Sequence, residues 1–128
     1  MTSPVPTSDP GFPGEFLEIA ERICERYYAE YPDTDERYGA RGRNYCAHDN
    51  AYLVGWMLQA AALATPAILE RNVRWLADLL AAREFPMERY ARNLQFVADA
   101  IVEAGLGTAG DIQSVVGPTL AALVELGA

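Results

Sequence analysis

From Glu15 onward, apolar side chains return at helical intervals. Phe16, Ile19, Ala20, Ile23, Tyr27 and Tyr31 keep the i, i+3, i+4, i+7 spacing of an amphipathic helix, and Pro32 ends it. Asp33 to Gly42 is polar, with Gly39 and Gly42 as breakers, and reads as a connector. A second helix is predicted over Arg43 to Ala64. Its stripe is Tyr45, Asp49, Tyr52, Leu53, Trp56, Met57, Ala60 and Leu63, and polar residues thin out after Asn50, as expected of a central, buried helix. Thr65-Pro66 supplies an N-cap and a first-turn proline for a third helix to Arg83, with Ile68, Val73, Leu76, Leu79 and Leu80 inward and Glu70, Arg71 and Arg74 outward. Pro86 opens a fourth, with Tyr90, Leu94, Val97, Ala98, Ile101 and Val102 as its stripe, closed by Gly105-Leu106-Gly107. Thr108 and Asp111 stand at capping-box spacing before a fifth, through Val115, Leu120, Leu123 and Val124, kinked or interrupted at Gly117-Pro118. No stretch alternates as a strand does. The fold class is all-α, with five helices.

The first 14 residues hold four of the eight prolines and read as a disordered arm. Residues 15–128 then form one helical domain, a normal length for a single core. A composition of 51% hydrophobic and 22% charged residues excludes wholesale disorder. The formal net charge of -8 argues against nucleic-acid and anionic-membrane surfaces. All ten basic residues are arginine, which removes lysine Schiff-base and P-loop chemistry. Two cysteines, Cys24 and Cys46, are too few for a disulfide scaffold, and no apolar run reaches membrane-spanning length. These bounds describe a soluble, cytoplasmic domain.

Few residues could carry chemistry. His48 is the single histidine, so neither a catalytic triad nor a multi-histidine metal site can be assembled, and Cys46 and His48, two apart on a helix, point to different sides. No catalytic residue and no metal site are therefore expected, and the chain does not read as an enzyme. The segment that stands out is Tyr45-Cys46-Ala47-His48-Asp49-Asn50-Ala51-Tyr52-Leu53. On a helix, Cys46, Asp49, Asn50 and Leu53 share one face. A carboxylate in a buried helix needs a donor, and Arg41, Arg43 or a tyrosine hydroxyl could supply one. Cys46 would then be a small core residue. Trp56 and Trp75 read as packing anchors, and the seven tyrosines as core-edge residues or the walls of a flat aromatic ligand site.

Cys46-Ala47-His48-Asp49 followed by Tyr52-Leu53 resembles the bilin-attachment helix of phycobiliproteins, whose pattern is Cys-x-Arg-Asp and then an aromatic or aliphatic pair. Tyr38-Gly39-Ala40-Arg41 is similar to the Tyr-Gly-x-Arg that leads into that helix. Val73-Arg74-Trp75-Leu76 resembles a run in helical segments that precede some cobalamin-binding domains. The resemblance spans Tyr38 to Val102. It implies a globin-like bundle in which Cys46 attaches a bilin (a linear tetrapyrrole) and Asp49 accepts from the pyrrole N–H groups, with haem the weaker fit. His48 stands where the family has arginine, so Arg41 or Arg43 would have to meet a propionate. Asn50 and Tyr52 complete the expected cofactor-binding face, and Cys24 lies outside it. Two functions follow: a non-enzymatic ligand-binding or sensor module, or a ligand-free helical adaptor or dimerisation domain acting with a partner such as a cobalamin-binding protein. The family's N-terminal hairpin has no counterpart here, which leaves part of the first helix's apolar stripe uncovered and predicts a homodimer.

Overall fold

A computed structural model describes residues 11–127. The described residues form a short 3₁₀ turn, Gly14–Phe16, and five α-helices: α1 Leu17–Glu30, α2 Thr34–Ala62, α3 Pro66–Ala82, α4 Met87–Glu103 and α5 Ala109–Glu125. The all-α class is as the periodicity required, and no strand occurs among the described residues. The chain groups into two compact units, Met1–Gly55 and Trp56–Ala128. No helix among the described residues is long and apolar enough to cross a membrane.

In the first unit, α1 buries Ile19, Ala20, Ile23, Cys24, Tyr27 and Tyr28. The stripe expected to be partly uncovered is therefore mostly enclosed, with Phe16 and Tyr31 at its two ends half-buried. The arm expected to be disordered through residue 14 becomes ordered earlier. Residues 1–10 lie outside the described residues, but Phe12 packs its ring on His48, and the 3₁₀ turn follows directly. The expected connector over Asp33 to Gly42 is helix from Thr34 onward, apart from Gly39 at φ 63°, ψ -160°. Asp35 and Glu36 sit in the first turn, where carboxylates oppose the helix dipole, and this outweighs the polar composition that suggested a loop. Gly39 is the one true break. Its backbone lies where only glycine is free of a Cβ clash. On α2, Ala47, Asn50, Ala51, Leu53 and Val54 are buried in this unit, and Met57 and Ala60 are buried on the part of the helix that belongs to the second. Trp56 is only half-buried, and Tyr45 and Leu63, placed on the inward stripe by spacing, are exposed.

In the second unit, α5 packs against both α3 and α4, which also touch each other. Leu69, Val73, Leu76 and Ala77 of α3 meet a core that includes Tyr90, Leu94, Val97 and Ile101 of α4 and Ile112, Val115, Val116 and Leu123 of α5. The buried Tyr90 hydroxyl donates to the Val73 carbonyl at 3.0 Å and ties α4 to α3. Three expectations about α3 and α5 need correction. Trp75 is 59% exposed rather than an anchor, Leu79 is 40% exposed rather than inward, and Val124 is exposed. Trp75 and Val124 project well away from the buried faces of their helices, and Leu79 flanks that of α3. Thr65 precedes α3 as expected, yet its hydroxyl donates back to the Leu63 carbonyl at 2.9 Å instead of capping. Thr108 does cap α5, accepting from the Asp111 N–H at 3.2 Å. That helix continues through Pro118, which costs it only the bond to the Ser114 carbonyl.

Helices α2, α3 and α4 all end in Schellman turns. Thr65 and Ala64 donate to the Ala60 and Ala61 carbonyls, Phe85 and Glu84 to Leu80 and Ala81, and Leu106 and Gly105 to Ile101 and Val102. Glycine fills the left-handed position only in the last of these, whereas Ala64 adopts φ 49° and Glu84 φ 59°. Ala64→Gly should therefore stabilise the protein by about 0.5–1 kcal/mol, the left-handed penalty less the added unfolded-state entropy. Gly39→Ala should destabilise it by about 1–3 kcal/mol. Urea unfolding followed by circular dichroism measures both, and the opposite order of the two midpoints would contradict the assignment.

Candidate functional site

The residues singled out by sequence fall on α2 within the first unit, where three side-chain groups link α2 to neighbouring segments. The first is sulfur-centred. Cys24 of α1 and Cys46 of α2 form a disulfide, with Cα atoms 6.1 Å apart, a normal span for such a bond. This corrects the reading of Cys46 as a free core thiol or attachment point, and of Cys24 as a bystander. Beside the bond lies Asn50, only 2% exposed. Its Nδ2 donates to the Cys46 carbonyl at 3.0 Å, and lies 3.4 Å from the Cys46 sulfur and 3.6 Å from that of Cys24. The one amide nitrogen is thus within hydrogen-bond reach of the carbonyl of the preceding helical turn and of both sulfurs. This accounts for an amide in an otherwise apolar position.

The second group surrounds the lone histidine. His48 Nδ1 lies 3.0 Å from Asp49 Oδ1, the separation of an imidazole N–H donating to a carboxylate. Phe12 stacks on the imidazole with centroids 5.5 Å apart, and Tyr52 meets it edge-on at 5.1 Å. Asp49 thus takes its donor from its neighbour in sequence, rather than from Arg41 or Arg43. A carboxylate and an imidazole shielded by two aromatic rings form a closed polar pair.

Arg43 belongs to the third group. Its Nε and Nη2 donate to the Asp35 carboxylate at 2.6 and 2.5 Å, a bidentate fork, and its guanidinium lies 4.2 Å from the centroid of the Tyr28 ring. Residues eight apart on a straight helix are separated by roughly 12 Å along the axis. The break at Gly39 brings them together. Arg41 is exposed. The hydrogen bond from Arg43 holds the Asp35 carboxyl below its usual pKa, and burial pushes the Tyr28 hydroxyl above its own, against the opposing effect of Arg43.

Chemically, this face offers a sulfur pair joined as a disulfide and an imidazole–carboxylate pair. In the disulfide form Cys46 has no thiol with which to attach a bilin, and Asp49 already accepts from His48, so the residues present do not fit a thioether-linked tetrapyrrole. Among the described residues, no group of three His, Cys, Asp or Glu side chains could hold a metal ion. The pairing also removes the cysteine count as an argument for a cytoplasmic address, since such bonds persist in oxidising compartments. Sequence reading missed Cys24, Phe12 and Asp35. The available signal for Cys24 was its place next to Ile23 on the buried face of α1.

Two outcomes follow. Cys24→Ala should lower stability by about 2–4 kcal/mol in non-reducing buffer, and most of that gap should close when wild type is unfolded with reductant present. Because the Asp35 pKa is lower in the folded state, its contribution is complete above the unfolded-state value near 4 and fades as pH falls through the folded one. Asp35→Asn should therefore flatten the acid limb of stability against pH, and an unchanged limb in urea titrations from pH 7 to pH 2 would remove the Arg43 fork from the account. No protein family matches the sequence, and no curated protein or solved structure is significantly similar to it.

Proposed function

We propose that this chain is a non-enzymatic, ligand-free helical adaptor that pairs with a second copy of itself through α3. The observation that carries the reading is Trp75, a large aromatic side chain 59% exposed, with Leu79 40% exposed one turn away. Ile68 lies seven residues before Trp75 and Ala82 seven after, so α3 carries a second apolar seam beside the one it buries. An exposed seam with a tryptophan at its centre is the usual composition of an interface hot spot.

The flank of the seam argues for a second copy as the partner. Arg71 and Asp78 are both exposed and lie two turns apart on the same side of α3. An antiparallel pairing of two α3 helices with the two-fold axis near Trp75 sets Arg71 of each copy opposite Asp78 of the other. The pattern is self-complementary, as an isologous interface requires. A bilin-binding sensor would instead need Cys46 and Asp49 released from their present partners.

Analytical ultracentrifugation at micromolar concentration tests this reading. Wild type should be a dimer, and Trp75→Glu a monomer with unchanged helicity. Asp78→Arg should weaken the dimer several-fold, since exposed ion pairs are each worth up to about 1 kcal/mol. Adding Arg71→Asp to it should restore the affinity. A monomeric wild type, or failure of the double swap to recover, would overturn the α3 interface. A coloured protein after co-expression with bilins or haem would overturn the ligand-free reading.

A further inference from the structure

We propose that Cys46 is a thiol-exchange site: a low-molecular-weight thiol opens the Cys24–Cys46 disulfide by attacking Cys46, with Cys24 as leaving group and Asn50 as the donor that stabilises the departing sulfur. The inference is independent of the α3 interface and rests on two observations. The two cysteines differ in exposure: Cys24 is 9% exposed on the buried face of α1, whereas Cys46 is half-buried. Exchange needs the incoming sulfur to line up with the bond it breaks, so the more open sulfur is the one attacked. The second observation is the Asn50 amide, itself 2% exposed, with Nδ2 3.4 Å from the Cys46 sulfur and 3.6 Å from that of Cys24. A disulfide is a weak acceptor that gains little from such a donor. A thiolate is a strong one, so the same N–H stabilises the reduced products more than the bond.

The reaction balances as follows. A thiolate RS⁻ attacks the Cys46 sulfur; the R–S–S–Cys46 bond forms, the Cys46–Cys24 bond breaks, and the electron pair leaves on the Cys24 sulfur beneath the Asn50 N–H. A second RS⁻ attacks the external sulfur of the mixed disulfide, releasing RSSR and leaving Cys46 as thiolate beside the same donor. Protons from solvent convert both to thiols. The protein gains two electrons, and two thiols are oxidised to one disulfide. When RSSR is in excess, the sequence runs backwards and closes the bond again. The 22-residue separation that this bond bridges contains Pro32, the Gly39 break and the Asp35–Arg43 fork. Exchange at Cys46 therefore sets whether α1 and the first half of α2 are cross-linked through their side chains.

Glutathione is the probe. Oxidised glutathione added to native Cys24→Ser should give a protein carrying one glutathionyl group on Cys46, by intact mass and peptide mapping. Native Cys46→Ser should stay unmodified over the same time, and take up the group only in denaturant. With reduced glutathione, wild type should open at a rate proportional to glutathione concentration and faster than global unfolding. In Asn50→Ala that rate should drop about tenfold, and the pH midpoint for alkylation of Cys46 in the Cys24→Ser background should rise by about one unit, the size expected for loss of one donor to a thiolate. Should Asn50→Ala fail to fold, Asn50→Asp, which places a carboxylate where the donor was, must slow opening at least as much. Modification of native Cys46→Ser at Cys24, a wild-type opening rate that saturates at the unfolding rate, or an Asn50 variant that opens as fast as wild type would each overturn the assignment.

Discussion

The joint between α1 and α2 governs the first unit, and the sulfur bond from Cys24 to Cys46 is its centre. Helix α1 has only 14 residues, a length that is marginal for an isolated helix in water. Its buried face supplies contact, while the covalent link fixes register by holding one position of α1 against one position of α2. Asn50 follows from that constraint. The bond places two weak acceptors at the edge of the buried joint, and a side-chain amide one turn along reaches a backbone carbonyl and both sulfurs.

The other contacts of this unit extend the joint towards its two ends. On one side, the break at Gly39 turns the first residues of α2 so that Asp35 meets Arg43, and Arg43 in turn covers Tyr28 on α1. On the other, Phe12 and Tyr52 close around His48, which is bonded to Asp49. Arg43, His48, Asp49 and Asn50 are thus each committed to a neighbour. The same commitments withdraw Cys46 and Asp49 from the tetrapyrrole chemistry that their spacing resembles.

The second unit is built differently. Helices α3, α4 and α5 hold together by apolar packing around α5, and the buried bond from Tyr90 to Val73 ties α4 to α3. Helix α3 has more apolar surface than its neighbours α4 and α5 cover, and Trp75 shows where the excess lies.

The sequence by itself determined the helices and most of their ends. Pro32, Pro66, Pro86, Gly105 and Thr108 act on backbone groups within four residues of themselves, so their effects can be read locally. The polar run from Asp33 to Gly42 misled because composition was weighed above the acidic first turn of α2, itself a local signal. Only the tertiary structure decided the rest. Whether Cys24 meets Cys46, or Asp49 turns to His48 rather than Arg43, depends on distances between segments that no periodicity encodes. A helical stripe likewise tells which side chains are adjacent, but not how wide a face the neighbouring helices cover. Leu76 and Leu79 look alike in sequence, and only the placement of α4 and α5 puts one in the core and the other in water.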